Sequence, residues 1–180
     1  TYLALGAGVQ SSALLLMSDQ GIKGVPKADV AIFADTQVEP DFVLENLKSL
    51  QEHCQNIPIK VVTAGNLIED YIKGAVHGEG RFAALPLFTF DGEKKGILKR
   101  ACTSEYKINP IRREVRKILG YKKGERMAGK VNVRAMMGIS FDEVQRMKPS
   151  QDAWCDLSYP LIDNRMRRNE CFDVLAKHGW

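Results

Sequence analysis

The stretch Tyr2-Leu-Ala-Leu-Gly-Ala-Gly-Val-Gln-Ser-Ser-Ala-Leu-Leu-Leu-Met17 lies almost at the start of the chain and indicates its fold class. Tyr2 to Leu5 is apolar and predicts a short strand. Ser11 to Gln20 is rich in Ala, Leu and Met and is followed by Gly21, which predicts a helix and its end. A strand that passes through a glycine turn into a helix is the first unit of an α/β fold.

The turn between this strand and helix is a candidate anion site. Its backbone N–H groups and the helix dipole can converge on a phosphate or sulfate. It matches neither G-x-G-x-x-G nor G-x-x-x-x-G-K-[ST], so the familiar dinucleotide and P-loop motifs do not apply. The alternative is a simple glycine turn with Ser11 as the helix cap. The residues of this candidate loop are Gly6, Ala7, Gly8, Val9, Gln10, Ser11 and Ser12.

The first seventy or so residues alternate strand and helix, which predicts an α/β fold with a parallel sheet. A segment at about 75–98 breaks the pattern with glycines and aromatic residues, and we interpret it as a long excursion. The predicted strands are Ala28 to Ala34, Ile59 to Val62 and Val131 to Ile139. The predicted helices run from Pro40 to about Cys54, from Asn66 to about Gly74, from Glu105 to Leu119, from Asp142 to Met147 and from Arg168 to Lys177.

Length and composition favour one domain spanning residues 1–180, since 180 residues suit a single hydrophobic core. No apolar run is long enough to span a membrane, and no signal peptide is recognisable, so we expect a cytoplasmic protein without a membrane partner. The chain has four cysteines and three histidines without metal-ligand spacing, and we therefore predict no metal site within it.

The segment 94–134 is strongly basic, with fourteen Lys and Arg against Glu105, Glu114 and Glu125. Such a segment attracts phosphate-bearing partners, either a nucleotide or a nucleic acid such as tRNA or DNA. The alternative is a solvated basic face without a partner.

Polar residues also follow the later predicted strands, where an open α/β sheet binds its ligands. Asp35-Thr36 suits a ribose contact or a local turn. Cys102 to Arg113 suits anion binding or a plain basic amphipathic helix. In Gly138 to Arg146, Ser140 and Glu143 have the spacing of a capping box, and Arg146 is placed to pair with Glu143 or to bind a phosphate.

Taken in order, these segments resemble the phosphoadenosine phosphosulfate (PAPS) reductase family of the adenine nucleotide alpha-hydrolase-like, or PP-loop, superfamily. Gly6-Ala-Gly-Val-Gln-Ser resembles the pyrophosphate loop S-G-G-x-D-S, and Phe33-Ala-Asp-Thr36 resembles F-x-D-T. Cys102-Thr-Ser-Glu-Tyr-Lys-Ile-Asn-Pro-Ile is similar to C-x-x-x-x-K-x-x-P-[LI]. Gly138-Ile-Ser-x-x-Glu-x-x-Arg146 and Tyr159-Pro-Leu-Ile resemble the two segments that end the family pattern.

The resemblance implies a three-layer α/β sandwich with a mostly parallel sheet of about five strands and helices on both faces. It also implies an enzyme that uses an adenine nucleotide, with its terminal phosphate or sulfate in the Gly6 to Ser12 loop. The implied adenosine contacts are Phe33, Asp35, Thr36, Gly138 and Ile139. The implied anion contacts are Lys107, Arg112, Arg113 and Arg146. Ser140 and Glu143 would serve as a structural cap or as support behind the site.

Three departures from the family pattern bear on the chemistry. Gly6, Val9 and Gln10 stand where the pattern usually has Ser, Lys and Asp, so a carboxylate that could help hold Mg²⁺ is missing and the use of Mg²⁺ stays open. The E-C-G-[IL]-H segment with the nucleophilic cysteine of authentic reductases does not occur in the sequence. The chain begins on a strand and ends on a helix, so both ends look trimmed, and any iron–sulfur cluster would be held by residues outside this chain.

Two reactions and one non-catalytic role therefore stay open. The protein reduces an adenylyl sulfate to sulfite, or it uses ATP to adenylate an acceptor for sulfur transfer to a nucleic acid. A thiol or sulfur donor protein would be a partner in such chemistry. Cys102 is a candidate nucleophile, although a small packed residue is the alternative. The third hypothesis is a nucleotide- or nucleic-acid-binding module without catalysis.

Overall fold

The computed structural model describes residues 1–78, 88–90, 92–97, 102–127 and 129–180. The strands within these residues are β1 (Tyr2–Leu5), β2 (Val30–Asp35), β3 (Ile59–Thr63), β4 (Phe88–Phe90), β5 (Lys95–Ile97), β6 (Val133–Met137) and β7 (Cys155–Ser158). The α-helices are α1 (Val9–Gln20), α2 (Asp41–His53), α3 (Leu67–Val76), α4 (Asn109–Ile118), α5 (Pro160–Asp163) and α6 (Arg168–Lys177). Shorter turns of 3₁₀ helix cover Ile22–Gly24 and Phe141–Arg146, and Thr103–Ile108 is a π-helix.

The main sheet has five strands in the order β3-β2-β1-β6-β7. β1 pairs in parallel with β2 and with β6, and β6 pairs in parallel with β7. The prediction of an α/β fold with a mostly parallel five-stranded sheet is confirmed. The strand order reverses at β1, because β2 and β3 extend the sheet on one side of it while β6 and β7 extend it on the other.

Local sequence explains why the first elements form where they do. β2 is a continuous apolar run and is buried along nearly its whole length, as expected for an inner parallel strand. α1 is buried from Gln10 to Asp19 and ends at Gly21, whose φ of 70° is the left-handed conformation that commonly closes a helix. The Asn66 side chain caps α3 as predicted, accepting from the N–H groups of Ile68 and Glu69, each at 3.0 Å.

Several boundaries differ from the prediction. α1 begins at Val9 rather than Ser11. β7 was missed because Cys-Asp-Leu-Ser is short and half polar. The excursion at about 75–98 contains an antiparallel hairpin of β4 and β5, while residues 79–87, 91 and 98 of it lie outside the described part of the chain. The helix predicted from Glu105 is π-helical up to Ile108, because Pro110 lacks the N–H that a continuous α-helix would need.

The chain forms two compact units. The first comprises Thr1–Phe33, Pro40–Lys60 and Tyr121–Trp180, and the second comprises Ala34–Glu39 and Val61–Gly120. In the first unit, a core of buried side chains from β1, α1, β2 and α2 continues into α5 and α6. In the second unit, Leu67 and the fully buried Tyr106 form a smaller cluster. The single domain proposed from length stays a prediction.

None of the helices in the described residues combines the length and the apolar character that crossing a membrane requires.

Candidate functional site

The residues from Gly6 to Ser12, here called the glycine loop, connect the central strand β1 to α1. Gly6 and Gly8 are exposed, whereas Ala7 between them is buried and has a φ of 51°. The Ser11 hydroxyl folds the loop, because it accepts from the Gly6 N–H at 3.2 Å and donates to the Gly8 carbonyl at 3.1 Å. Ser11 is therefore not the helix cap that the alternative interpretation assigned to it.

Gly8 is the residue that begins α1, and it leaves the helix N-terminus open. It occupies the N-cap position and has no side chain with which to cap the first turn. The first N–H groups of a helix have no partner within the helix and carry its positive dipole end. The glycine loop therefore presents backbone N–H groups beside two exposed glycines, which is an arrangement suited to an anion.

Gly138 follows β6, the neighbour of β1, and packs directly on the glycine loop. A Cβ built on Gly138 would lie 2.8 Å from both the backbone N and the Cα of Ser11. Only glycine allows the end of β6 to come this close to the start of α1. This contact gives Gly138 a structural role, while its predicted contact with adenosine, and that of the adjacent Ile139, stay predictions.

Gln10 connects the glycine loop to two distant segments of the first unit. Its Nε2 donates to Glu143 Oε2 at 3.2 Å, and its Oε1 accepts from Arg168 Nη1 at 3.1 Å. Arg146 Nη1 binds the same Glu143 oxygen at 2.8 Å, which confirms the predicted Arg146–Glu143 pair. A neutral amide can satisfy a carboxylate and a guanidinium together. Gln10, which stands where the pattern has Asp, therefore bridges Glu143 and Arg168 beside the loop.

The predicted capping box of Ser140 and Glu143 does not form, and this is a correction. The Ser140 side chain makes no cap hydrogen bond, since the Glu143 N–H donates to the Ser140 carbonyl at 2.9 Å, and the Glu143 carboxylate binds Gln10 and Arg146. Ser140 Oγ is fully buried and makes no hydrogen bond within the described residues. It still lies close enough to Asp142 to be the main cause of a lowered pKa of that carboxyl.

The second unit holds the Asp35-Thr36 segment together with Lys107. Thr36 Oγ1 donates to Glu39 Oε1 at 3.0 Å, and Lys107 Nζ lies 2.9 Å from the same oxygen. Asp35 Oδ1 accepts from the Gln37 N–H at 2.7 Å, which is the local turn bond that the sequence offered as an alternative to ribose binding. Glu39 thus already neutralises Lys107, and the ligand contacts proposed for Asp35, Thr36 and Lys107 stay predictions.

The remaining predicted contacts are placed as follows. Phe33 is buried in the core, with 2% of the residue exposed, and its predicted contact with adenosine stays a prediction. Arg112 and Arg113 lie on α4, and Arg113 is exposed. The basic segment 94–134 is divided between the two units at Gly120, so it is not a feature of either unit alone. A nucleic-acid partner stays a prediction.

Cys102 lies at the start of the π-helix, partly exposed beside the Leu67 and Tyr106 cluster. The other three cysteines are buried. Burial and, to a lesser extent, nearby Asp19 raise the pKa of Cys54 to about 12. Burial and the Asp142 charge raise the pKa of Cys171 to about 11, and burial raises that of Cys155. Cys102 is therefore the cysteine best placed for reaction, although its role as a nucleophile stays a prediction.

We expect about one thiol per folded chain to react rapidly with a charged aromatic disulfide at about pH 8, since the thiolate is the reactive form and buried thiols rarely ionise. Absorbance of the released thiolate measures this, with total thiol counted after denaturation. Cys102→Ser should remove the rapid phase. Rapid reaction at a second position, or a rapid phase that survives Cys102→Ser, would contradict this assignment.

Sequence reasoning missed three residues that the structure brings to these positions. Arg168 reaches Gln10, Glu39 pairs with Lys107, and Asn46 Nδ2 donates to the Ala7 carbonyl at 2.7 Å. The available signals were weak: Arg168 belongs to a basic pair that opens the last helix, and Asn46 is an amide among the leucines of α2. Within the described residues, no group of three or more His, Cys, Asp or Glu side chains is arranged to hold a metal ion.

Fold and site together define an α/β protein with an open glycine loop where the strand order of a parallel sheet reverses. Neither the models of known protein families nor the curated protein sequences give a match to this chain. Among solved structures, it is similar to phosphoadenylyl-sulfate (PAPS) reductase from Candida auris, determined as a phosphate complex. The TM-score is 0.57 at 12% sequence identity, covering 98% of this chain and 72% of that chain. The PAPS-reductase-like fold expected from the motifs is confirmed.

Proposed function

We propose that this protein is an adenine-nucleotide-dependent enzyme of the PAPS-reductase-like type, in which the glycine loop holds the anionic end of the nucleotide. The observation that carries the proposal is the position of the loop. It leaves the central strand β1 where the strand order reverses, and ligands of open α/β sheets bind beyond the carboxyl ends of the strands at such a point. The uncapped N-terminus of α1 supplies the N–H groups.

Positive charge for this anion would come from arginines beside the loop, because the loop itself has none. Arg168 is exposed and touches Gln10 through one nitrogen, and Arg146 is exposed and touches Glu143. A guanidinium has further N–H groups beyond the one used in each contact, and its planar fork suits phosphate and sulfate oxygens. Arg168 is the cation that we assign to the proposed anion site, and Arg146 would contribute by exchanging part of its contact with Glu143.

The similarity in fold to the Candida auris PAPS reductase supports a nucleotide of the same class. With an adenylyl sulfate, a thiolate would attack the sulfate sulfur, the bond from sulfur to the bridging oxygen would break, and the nucleotide would leave with that oxygen. A second thiol would then release sulfite and form a disulfide. With ATP, an acceptor oxygen would attack the α-phosphorus and pyrophosphate would leave. With ATP, the departing pyrophosphate gains negative charge that N–H donors in the loop would stabilise. With an adenylyl sulfate, the same donors would hold the sulfate oxygens while the nucleotide leaves.

Isothermal titration tests the proposal directly. We expect adenylyl sulfate, PAPS or ATP to bind, the last with and without Mg²⁺, and inorganic phosphate to compete. GTP is the matched control for the base. Incubation with a dithiol and analysis for sulfite, or with ATP and analysis for pyrophosphate, then separates the two reactions.

Failure has two distinct forms. If no adenine nucleotide binds, the proposed ligand class is wrong. If an adenine nucleotide binds but neither sulfite nor pyrophosphate forms with any donor tested, the protein is a nucleotide-binding module rather than an enzyme.

A further inference from the structure

Asn46, a residue of α2, makes two hydrogen bonds to the glycine loop. Its Nδ2 donates to the Ala7 carbonyl at 2.7 Å and to Ser12 Oγ at 3.0 Å. Ala7 and Ser12 lie on either side of Gly8, so a single amide group binds the loop on both sides of this exposed glycine. None of the motifs in the sequence includes Asn46.

The contact with Ala7 matters because that residue has an unfavourable backbone conformation. Its φ of 51° is left-handed, and a non-glycine residue pays roughly 1–2 kcal/mol for such a conformation. A hydrogen bond to the carbonyl of the same residue offsets part of this cost and fixes the orientation of the peptide that leads to Gly8. Asn46 therefore favours the loop geometry that presents the helix N-terminus.

Trp180, the last residue of the sequence, completes the connection. Its Nε1 donates to Asn46 Oδ1 at 2.6 Å, and its ring centroid lies 4.6 Å from that of His53, also on α2. The Asn46 amide oxygen thus accepts from the indole, while the amide nitrogen donates to the loop. With both ends bonded, the Asn46 side chain has one orientation.

We propose that Asn46 is a positioning residue that couples the occupancy of the glycine loop to the environment of the Trp180 indole. This inference rests on the proposed role of the loop as an anion site. A ligand that fixes the loop strengthens the Asn46 contacts and thereby the bond to Trp180, and by linkage the docked indole strengthens ligand binding. Asn46 acts through the loop, because both bonds of its amide nitrogen go to loop atoms.

Tryptophan fluorescence tests this coupling, since the chain has only two tryptophans. In a Trp154→Phe background, emission reports Trp180 alone. We expect adenylyl sulfate, and inorganic phosphate at higher concentration, to shift this emission with the same midpoint that calorimetry gives. The ligand-free protein is examined in parallel by amide hydrogen exchange of the loop residues.

Two variants distinguish the role of the Asn46 amide nitrogen from that of its amide oxygen. Asn46→Asp keeps an oxygen for the indole but puts an acceptor against the Ala7 carbonyl in place of a donor, so affinity should fall at least about tenfold. Asn46→Leu removes both the amide oxygen and the amide nitrogen. It should abolish the response of Trp180 emission to ligand and accelerate amide hydrogen exchange in the loop. Asn56→Ala is the matched control, because Asn56 bonds to Asp19 at the far end of α1 and should change neither readout.

The outcomes distinguish this inference from the proposed function. If no anion binds the unsubstituted protein, the proposed function fails, and the exchange experiment still decides the role of Asn46. Unchanged loop exchange in Asn46→Leu would overturn the positioning role. If ligand binds and Trp180 responds equally with Leu at position 46, the coupling does not pass through Asn46 and the inference is wrong.

Discussion

Replacing Gly138 with alanine is expected to lower the free energy of unfolding by at least about 2 kcal/mol and to abolish ligand binding at the glycine loop. The added Cβ would lie 2.8 Å from the Ser11 backbone N and Cα and 3.0 Å from its Cβ. Backbone atoms of a buried helix cannot move aside as the tip of a side chain can. Either β6 or the first turn of α1 must shift, and the loop geometry depends on both.

Thermal and urea denaturation measure this effect. For a chain of this size, such a loss corresponds to a fall in Tm of roughly 4–8 °C. Calorimetry with adenylyl sulfate then reports the loss of binding. A Gly138→Ala protein with unchanged Tm and affinity would show that the close approach of β6 to Ser11 does not exist in solution.

Replacing Gly8 with valine should have the opposite pattern, with stability kept and ligand binding weakened at least about a hundredfold. Gly8 has a φ of −90° and a ψ of 171°, an extended conformation that valine adopts readily. A Cβ at this position would meet no atom within 4 Å. The branched side chain would therefore occupy the open space over the loop, which a bound anion needs.

Denaturation and calorimetry are also applied to Gly8→Val and to Gly8→Ala, whose smaller side chain would obstruct the loop less. Stability should change by no more than about 1 kcal/mol, because no side-chain cap is lost. Gly138→Ala and Gly8→Val serve as controls for each other, since one perturbs packing beneath the loop and the other only its exposed face. Full affinity in Gly8→Val would place the ligand elsewhere and remove the main support for the proposed function.

Local patterns predicted much of the fold correctly. The apolar run of β2, the amide cap of α3 and the left-handed glycine after α1 are each encoded within a few residues. Prediction failed where local signals conflict or are absent. The half-polar strand β7 gave no periodicity, and the Ser140 and Glu143 spacing of a capping box was overridden by the attraction of Glu143 to Gln10 and Arg146.

The succession of strands and helices, and with it the glycine loop between β1 and α1, could be predicted from the sequence, because burial periodicity, caps and turn residues act over short distances along the chain. The side chains that surround that loop are brought together by the folded chain alone. Gln10 meets Glu143 and Arg168 across 133 and 158 positions, and Trp180 meets Asn46 across 134. Such contacts depend on the order in which strands pair and on the helices that cover them, and burial of the whole core sets both.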